Sequence, residues 1–430
     1  MNNNAPHIGN TQSWYQATAH AAPAAARLVG DARVDVVVIG GGFTGIASAL
    51  SLAEAGRSVL LLEAETIGAG ASGRNGGQLI AGLRWDASDL VERFGMAQGK
   101  ALFDLAVTAL DRVRARITRH DIACDYRPGQ FYAAARPDHF PKMTKEVAFL
   151  RDVMGYDHVK LVARDDVHRI VNADGYYGGI MDRNGGHFHP LNYLIGLAHA
   201  ADAAGVRLHH HSPARRIEQL GDKVIVSTDH GVVTADHAVL GCDSGMGSIR
   251  PDLARYAMAV MNYNIATEPL GEDRARSLIP ANAAIADSRF VLNYFRLSSD
   301  HRLIFGGGEK YSPRPPKDIP GFVRPHMARV FPSLNNIGID FGWGGAVGVS
   351  LNRLPVMGRD GNIFYAHGYS GQGAALTTLA GELMAEAITS GSTGFDLFAQ
   401  LPHHPFPGGR LLRHPLYVLG MLYYALRDRI

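Results

Sequence analysis

The sharpest change of pattern along the chain lies between residues 36 and 54. Val36, Val37, Val38 and Ile39 form an uninterrupted apolar run, which breaks off in Gly40, Gly41 and Gly42 and continues through Phe43, Thr44 and Gly45 as an alanine-rich segment. A short apolar run bounded by glycines reads as a buried strand, and the segment behind it as a helix over 45–54. Gly56 stops that helix, and 59–63 reads as a second buried strand ending in Glu63. Farther on, Leu90, Phe94, Leu102, Leu105, Leu110, Val113 and Ile117 fall on one face of a helix over 86–120. A strand over 126–135 and a helix over 142–154 follow. Residues 182–190 read as a turn, from which Pro190, with its preset backbone angle, starts a helix over 191–204. A strand over 206–211, a three-stranded meander (217–220, 224–228, 232–235) and a separate apolar strand over 238–242 come next. Later strands are expected at 260–267, 290–296 and 302–308, with a turn at 298–301, and a helix at 377–390.

The spacing Gly40, Gly42, Gly45 is G-x-G-x-x-G: one glycine for a tight turn, one for backbone approach to a pyrophosphate, one for close packing of the helix. The amide end of the helix then faces that phosphate. Glu63, 23 residues past Gly40, is placed for ribose hydroxyls and favours NAD or the adenosine half of FAD over NADP. A second glycine-rich stretch, 67–78, separates these two cofactors. A flavin needs close backbone donors for its ribityl chain and ring, and Gly70, Ala71, Ser72, Gly73, Arg74, Asn75, Gly76, Gly77 and Gln78 supply them, with side-chain donors at Ser72, Arg74 and Asn75. The competing reading of this stretch is a plain surface linker. Gly371, Gln372 and Gly373 offer another positive helix end. Phe43, Thr44, Ala64, Ala214, Gly241 and Gly345 complete the expected cofactor set.

Composition narrows the class. The 430 residues are 46% apolar with a net charge of +2, which suits a two-domain globular protein and gives no footprint for nucleic acid. The two cysteines, Cys124 and Cys242, build no disulfide framework, and the first twenty residues lack a secretory pattern, so a reducing, cytoplasmic setting is expected. The apolar stretch 34–52 is broken by the glycine turn, and membrane association is not expected. His209, His210 and His211 alternate in direction along a strand, and no metal site is expected there.

With these pieces placed, the chain resembles the D-amino-acid oxidase superfamily of flavoproteins, the group of glycine oxidase and monomeric sarcosine oxidase. The resemblance rests on Ser13, Trp14 and Tyr15, on 67–78, on 125–129 and 185–192, on 369–373, and on 401–410 with 426–429. These motifs point to the branch that oxidises gamma-glutamylputrescine. The resemblance implies an α/β fold with α+β elements: a Rossmann-type FAD-binding domain (34–85, 150–245, 345–400) and a discontinuous mixed-sheet substrate domain (86–149, 246–344), between an N-terminal arm (1–33) and a tail (401–430). It implies non-covalent FAD, oxidation of an amine C–N bond by hydride transfer to flavin N5, and O2 as electron acceptor, giving aldehyde, ammonia and H2O2. His187, His189 and Glu309 are candidates to accept the substrate's proton; for His189 the other reading is a helix cap. Arg296 is the candidate clamp for a substrate carboxylate, or a structural ion pair. The chain departs from the family at Val347, where a second carboxylate-binding arginine is expected, at Gln372 in place of histidine, and at Ile304 in place of sarcosine oxidase's lysine. Two alternatives stay open: an amino-acid or N-methyl amino-acid dehydrogenase or oxidase, which as a dehydrogenase would pass electrons to a quinone and for which the apolar stretch 416–426 is the sequence support, and a non-catalytic nucleotide-fold protein.

Overall fold

A computed structural model describes residues 12–309, 315–407, 415 and 418, apart from the side chains of Ser248 and Glu309. The apolar stretch 416–426 and the terminal motif 426–429 therefore lie outside the described residues, except Val418.

Two sheets carry the chain. In the first, the order is Val356–Asp360, Ile363–His367, Val232–Leu240, Ala32–Ile39, Val59–Leu62 and Arg207–His209, with the hairpin Arg216–Leu220 and Lys223–Ser227 attached to Val232–Leu240. Ala32–Ile39 lies parallel to both of its neighbours, pairing Val37 with Leu60 on one side and with Ala238 on the other. All four residues of Val59–Leu62 are buried, as the continuous apolar run requires of a strand covered on both faces. Helices Phe43–Glu54, Pro190–Ala203 and Gly373–Thr389 cover one face, where Ile46, Leu50, Leu194, Leu379 and Leu383 share a core with Val36 and Leu61; on the other face Val37, Leu60 and Leu62 pack with Leu28, Val224 and Val226.

The second sheet runs Ile339–Ser350, Ala257–Thr267, Leu303–Glu309, Tyr294–Leu297, Ala284–Asp287, Arg127–Ala133, Gly179–His187 and Gln78–Leu79, with Val159–Val162 beside Gly179–His187. Its pairs are antiparallel except Ala284–Asp287 with Arg127–Ala133. One face packs Phe131, Tyr263, Ile285, Phe295 and Phe305 against Val323 and Met327 of helix Ile319–Val330.

Several expectations need correction. Residues 182–187 are not a turn but the end of strand Gly179–His187: a Cβ on Gly185 would lie 2.7 Å from Gln130 Cβ and one on Gly186 2.5 Å from Arg127 O, so these glycines answer crowding between strands. The segments 232–235 and 238–242 are one strand, Val232–Leu240, antiparallel to Lys223–Ser227 at its start and parallel to Ala32–Ile39 along its length. The strand expected from 290 begins at Tyr294, because the Asp287 carboxylate accepts the amides of Arg289 and Asn293 and ties 288–293 into a loop. The sheets also divide the chain differently from the expected ranges. Strands within 159–187 belong to the second sheet, and helix Ala87–Arg119 buries Leu90, Leu102 and Val113 in the first core.

Candidate functional site

The site is built first from backbone. At Gly40 the chain turns with φ +108°, and a Cβ there would lie 2.8 Å from Gly241 O. A Cβ on Gly45 would sit 1.9 Å from Gly40 O, so the strand end, the helix start and the end of Val232–Leu240 touch backbone to backbone. Gly42 is the N-cap of helix Phe43–Glu54 and has no side chain to spend there. Ser72 Oγ takes over, accepting Phe43 N at 3.0 Å. The amides of Thr44 and Gly45 have no acceptor among the described residues, because the first helical bond is Ile46 N to Gly42 O. That is the orphaned, positive end of a helix.

Glu63 reaches across to this loop. Its carboxylate accepts Gly41 N at 2.6 Å and Glu65 N at 2.9 Å. Burial raises its pKa, and these amide donors oppose the rise. Its carbonyl accepts Ser212 N, just ahead of buried Ala214, while Ala64 next to it is exposed.

The stretch 67–78 is an ordered element, not a linker. Gly73 fits under Gly68 O, 2.2 Å from where a Cβ would be. Arg74 Nε donates to Gly344 O, and Trp343 Nε1 donates back to Arg74 O, so the loop is stitched to strand Ile339–Ser350 beside Gly345. Asn75 Nδ2 donates to Ala71 O and Ser72 O, its Oδ1 accepts Gly77 N, and Gln78 Nε2 donates to Ile285 O. The side-chain donors expected to serve a ligand thus shape the loop itself. What the loop leaves open is at Gly70, where a Cβ would meet nothing within 4 Å.

A second helix start converges on the first. Ser370 and Gly371 take left-handed φ of +56° and +94°, and Gln372 caps helix Gly373–Thr389. Gln372 Oε1 is buried with no hydrogen-bond partner among the described residues. Tyr369 OH lies 2.9 Å from Thr44 Oγ1, which links the two helix starts. Asp243, absent from the expected set, locks this corner: its buried carboxylate accepts Gly368 N at 2.8 Å and Gly348 N at 3.1 Å. Burial raises its pKa. No sequence pattern marks it, since its partners lie more than a hundred residues away.

The second sheet brings side chains to the same loop. Tyr294 donates to Asn262 Oδ1, and its ring lies where a Cβ on Gly76 or Gly306 would be. Arg296 is 2% exposed and spends Nε on Gly76 O, Nη1 on Leu297 O and Nη2 on Tyr15 OH. Among the described residues it forms no ion pair, which corrects the structural ion-pair reading, and it lies in the lining of a small cavity with Arg127 and Arg276. His189 is the N-cap of Pro190–Ala203: Nδ1 accepts Asn192 N at 3.1 Å and Nε2 meets Thr18 Oγ1 at 3.1 Å. Trp14 and Tyr15 cover it. Burial and the Arg296 charge push its pKa and that of His187 down to about 3. With both nitrogens engaged, His189 has the capping role and cannot take a substrate proton. His187 Nε2 lies 2.9 Å from Asn282 O. Glu309 lies on strand Leu303–Glu309 opposite Asn262, its side chain outside the described atoms. Burial pushes the thiols of Cys124 and Cys242 up to about 12, away from the thiolate form that reacts. Among the described residues no group of three or more His, Cys, Asp or Glu could hold a metal ion, and no helix is long and apolar enough to cross a membrane.

Comparison with known proteins fits this geometry. Residues 35–387 match the family described as FAD dependent oxidoreductase. The chain is 40% identical over 423 residues to the gamma-glutamylputrescine oxidoreductase of Escherichia coli, covering 98% of this chain and 99% of the relative. It is 35% identical to a probable oxidoreductase of Rhizobium meliloti, with 97% of each chain covered. Among solved structures it is similar to glycine oxidase from Geobacillus kaustophilus, at a TM-score of 0.73 and 20% identity over 87% of this chain and all of that one.

Proposed function

The chain belongs to the FAD-dependent oxidoreductase family, and from that premise we propose that it oxidises the C–N bond of gamma-glutamylputrescine or a related polyamine conjugate. The observation that carries this reading is the likeness to the Escherichia coli enzyme over nearly the whole of both chains. The residues present fit the cofactor. Thr44 and Gly45 hold out unbonded amides, Gly70 and Gly371 face open space, and buried Gln372 Oε1 lacks a partner. In this reading Thr44 and Gly45 hold a phosphate, Glu63 holds the adenosine ribose, and 70–77 with Gly345 and Gln372 surround the flavin. Bound FAD supplies the two-electron acceptor for C–N oxidation. The chain's part is to orient the amine and exclude water around it, with Tyr294 and Asn262 on the facing sheet as the polar wall nearest Gly76. The net reaction is amine, O2 and water to aldehyde, ammonia and H2O2. Non-covalent attachment is supported by both cysteines keeping their protons, Cys124 buried and Cys242 half-buried.

The test is anaerobic flavin bleaching with gamma-glutamylputrescine, putrescine, glycine, sarcosine and D-alanine, followed by mixing with oxygen. Gamma-glutamylputrescine is expected to bleach fastest, oxygen to restore the colour with H2O2, and acid precipitation to release FAD into the supernatant. Preference for an amino acid would sink the substrate assignment. Reoxidation by a quinone but not by oxygen would make the protein a dehydrogenase.

A further inference from the structure

Away from the glycine cradle, a cavity of about 50 Å³ opens where the strand end at His187, the start of Arg127–Ala133, the loop at Asn282 and the turn at 298–301 meet. Three arginines line it, Arg127, Arg276 and Arg296, against a single carboxylate, Asp125. Arg127 and Arg276 are exposed and neither forms an ion pair among the described residues, and buried Arg296 has only neutral acceptors. A cationic excess of this kind calls for an anion, and arginine forks suit a carboxylate or a phosphate.

Two acceptors among the lining residues narrow the choice. His187 is 2% exposed, and its Nδ1 is buried without a partner while Nε2 faces Asn282 O. The ring is neutral, its pKa pushed down to about 3, so the hydrogen sits on Nε2 and Nδ1 offers a bare lone pair. Asp125 Oδ2 accepts Ser299 Oγ at 2.8 Å, with its other oxygen unassigned to any described donor. A phosphate dianion would face repulsion from both acceptors, whereas an ammonium would satisfy them. The volume holds a few waters or one small polar head, not a nucleotide.

We propose that this cavity binds the head group of a small α-amino acid, with its carboxylate on Arg127 and Arg276 and its ammonium against Asp125 and His187 Nδ1. Arg296, which lines the cavity and donates to Gly76 O, connects the occupant to the glycine loop. Binding here does not depend on which amine is oxidised, and the test measures no turnover. Anaerobic isothermal titration of the FAD-loaded protein with glycine, acetate, methylammonium and inorganic phosphate is the experiment. Glycine is expected to saturate, with acetate and methylammonium each weaker by about 10-fold, the loss of one charge-assisted contact. Arg127→Gln with Arg276→Gln should weaken glycine and acetate alike by about 10-fold or more, at unchanged melting temperature. Asp125→Asn should weaken glycine but not acetate. Absence of saturable glycine heat, tighter phosphate than glycine binding, or glycine binding unchanged in both variants would overturn the proposal; the last result would place glycine elsewhere in the protein.

Discussion

The two sheets present their ligand sides with opposite materials. The first offers backbone: Gly40, Gly45 and Gly241 are stacked so closely that no side chain fits, and the useful groups are the amides of Thr44 and Gly45. Those groups are set by the strand and helix that carry them, with Gly241 packed against the turn and Ser72 Oγ accepting Phe43 N. The second sheet offers side chains, Tyr294, Asn262, Arg296 and His187, each fixed by a partner from another segment. Arg296 is held by Tyr15, 281 positions away. A backbone wall resists change at a few glycines and tolerates it elsewhere, while a side-chain wall depends on every remote partner.

Matched glycine substitutions give the largest test of that contrast. In Gly45→Ala the new Cβ meets Gly40 O at 1.9 Å, which is backbone that cannot step aside. In Gly306→Ala it meets the Tyr294 ring at 2.0 Å, a side chain that can rotate. Gly45→Ala is expected to cost about 3 kcal/mol or more and to yield protein with little FAD, and Gly306→Ala less, with FAD retained. FAD content by absorbance and urea unfolding of both variants would decide. Greater cofactor loss in Gly306→Ala would break the comparison.

The same contrast explains what could be read in the sequence. The strand, glycine turn, helix and Glu63 were legible because the residues that mark them lie within 36–63, even though Gly241 and Ser72 complete the packing and the cap. Trp14 and Tyr15 stood out as aromatic residues in an otherwise plain arm, and they are buried. What residue type does not show at Asn75, Gln78 and Arg296 is whether the protein itself consumes the donor or acceptor; at His189 the helix-cap reading is the one the structure bears out. Asn75 is consumed by its own loop, Arg296 by Gly76 and Tyr15, and His189 by the helix it caps. Asp243 gave no signal at all, since its worth comes from Gly348 and Gly368. Glycine pairs misled in the other direction: Gly185 and Gly186 look like a turn and lie in a strand.

Acid should act on the two walls with opposite sign. His187 and His189 have folded pKa values near 3 against an ordinary 6.5, so below pH 6.5 the unfolded chain binds protons that the folded chain refuses. Stability is then lost as pH falls from about 6.5 towards 3, by about 1.4 kcal/mol per pH unit for each histidine. Glu63 and Asp243 have raised values, so the folded chain binds their protons first and acid relieves their cost. His367, at the end of a first-sheet strand and lowered to about 4, adds to the histidine effect, so variants rather than the total are the readout. Urea unfolding between pH 7 and 5 should show a shallower slope in His187→Gln and in His189→Asn than in the parent protein. Equal slopes would mean that neither imidazole is kept from its proton.

The smallest expected effect isolates one hydrogen bond across the longest sequence distance. Tyr15→Phe keeps the ring, and with it the edge contacts to His189 and Trp343 at 5.0 and 5.3 Å and the Arg296 guanidinium 5.7 Å from its centre. Only the hydroxyl that accepts Arg296 Nη2 is removed. Nη2 is then left buried and unsatisfied, which costs about 1–3 kcal/mol. The loss should loosen the arm before anything else, because Nε and Nη1 still hold Arg296 to Gly76 and Leu297. Hydrogen exchange at 13–18 should therefore quicken, while the amides of 43–54 in the first sheet's helix keep their protection and FAD stays bound. Faster exchange in that helix, or release of FAD, would show that the arm supports both walls and that the first is less self-sufficient than its backbone geometry implies.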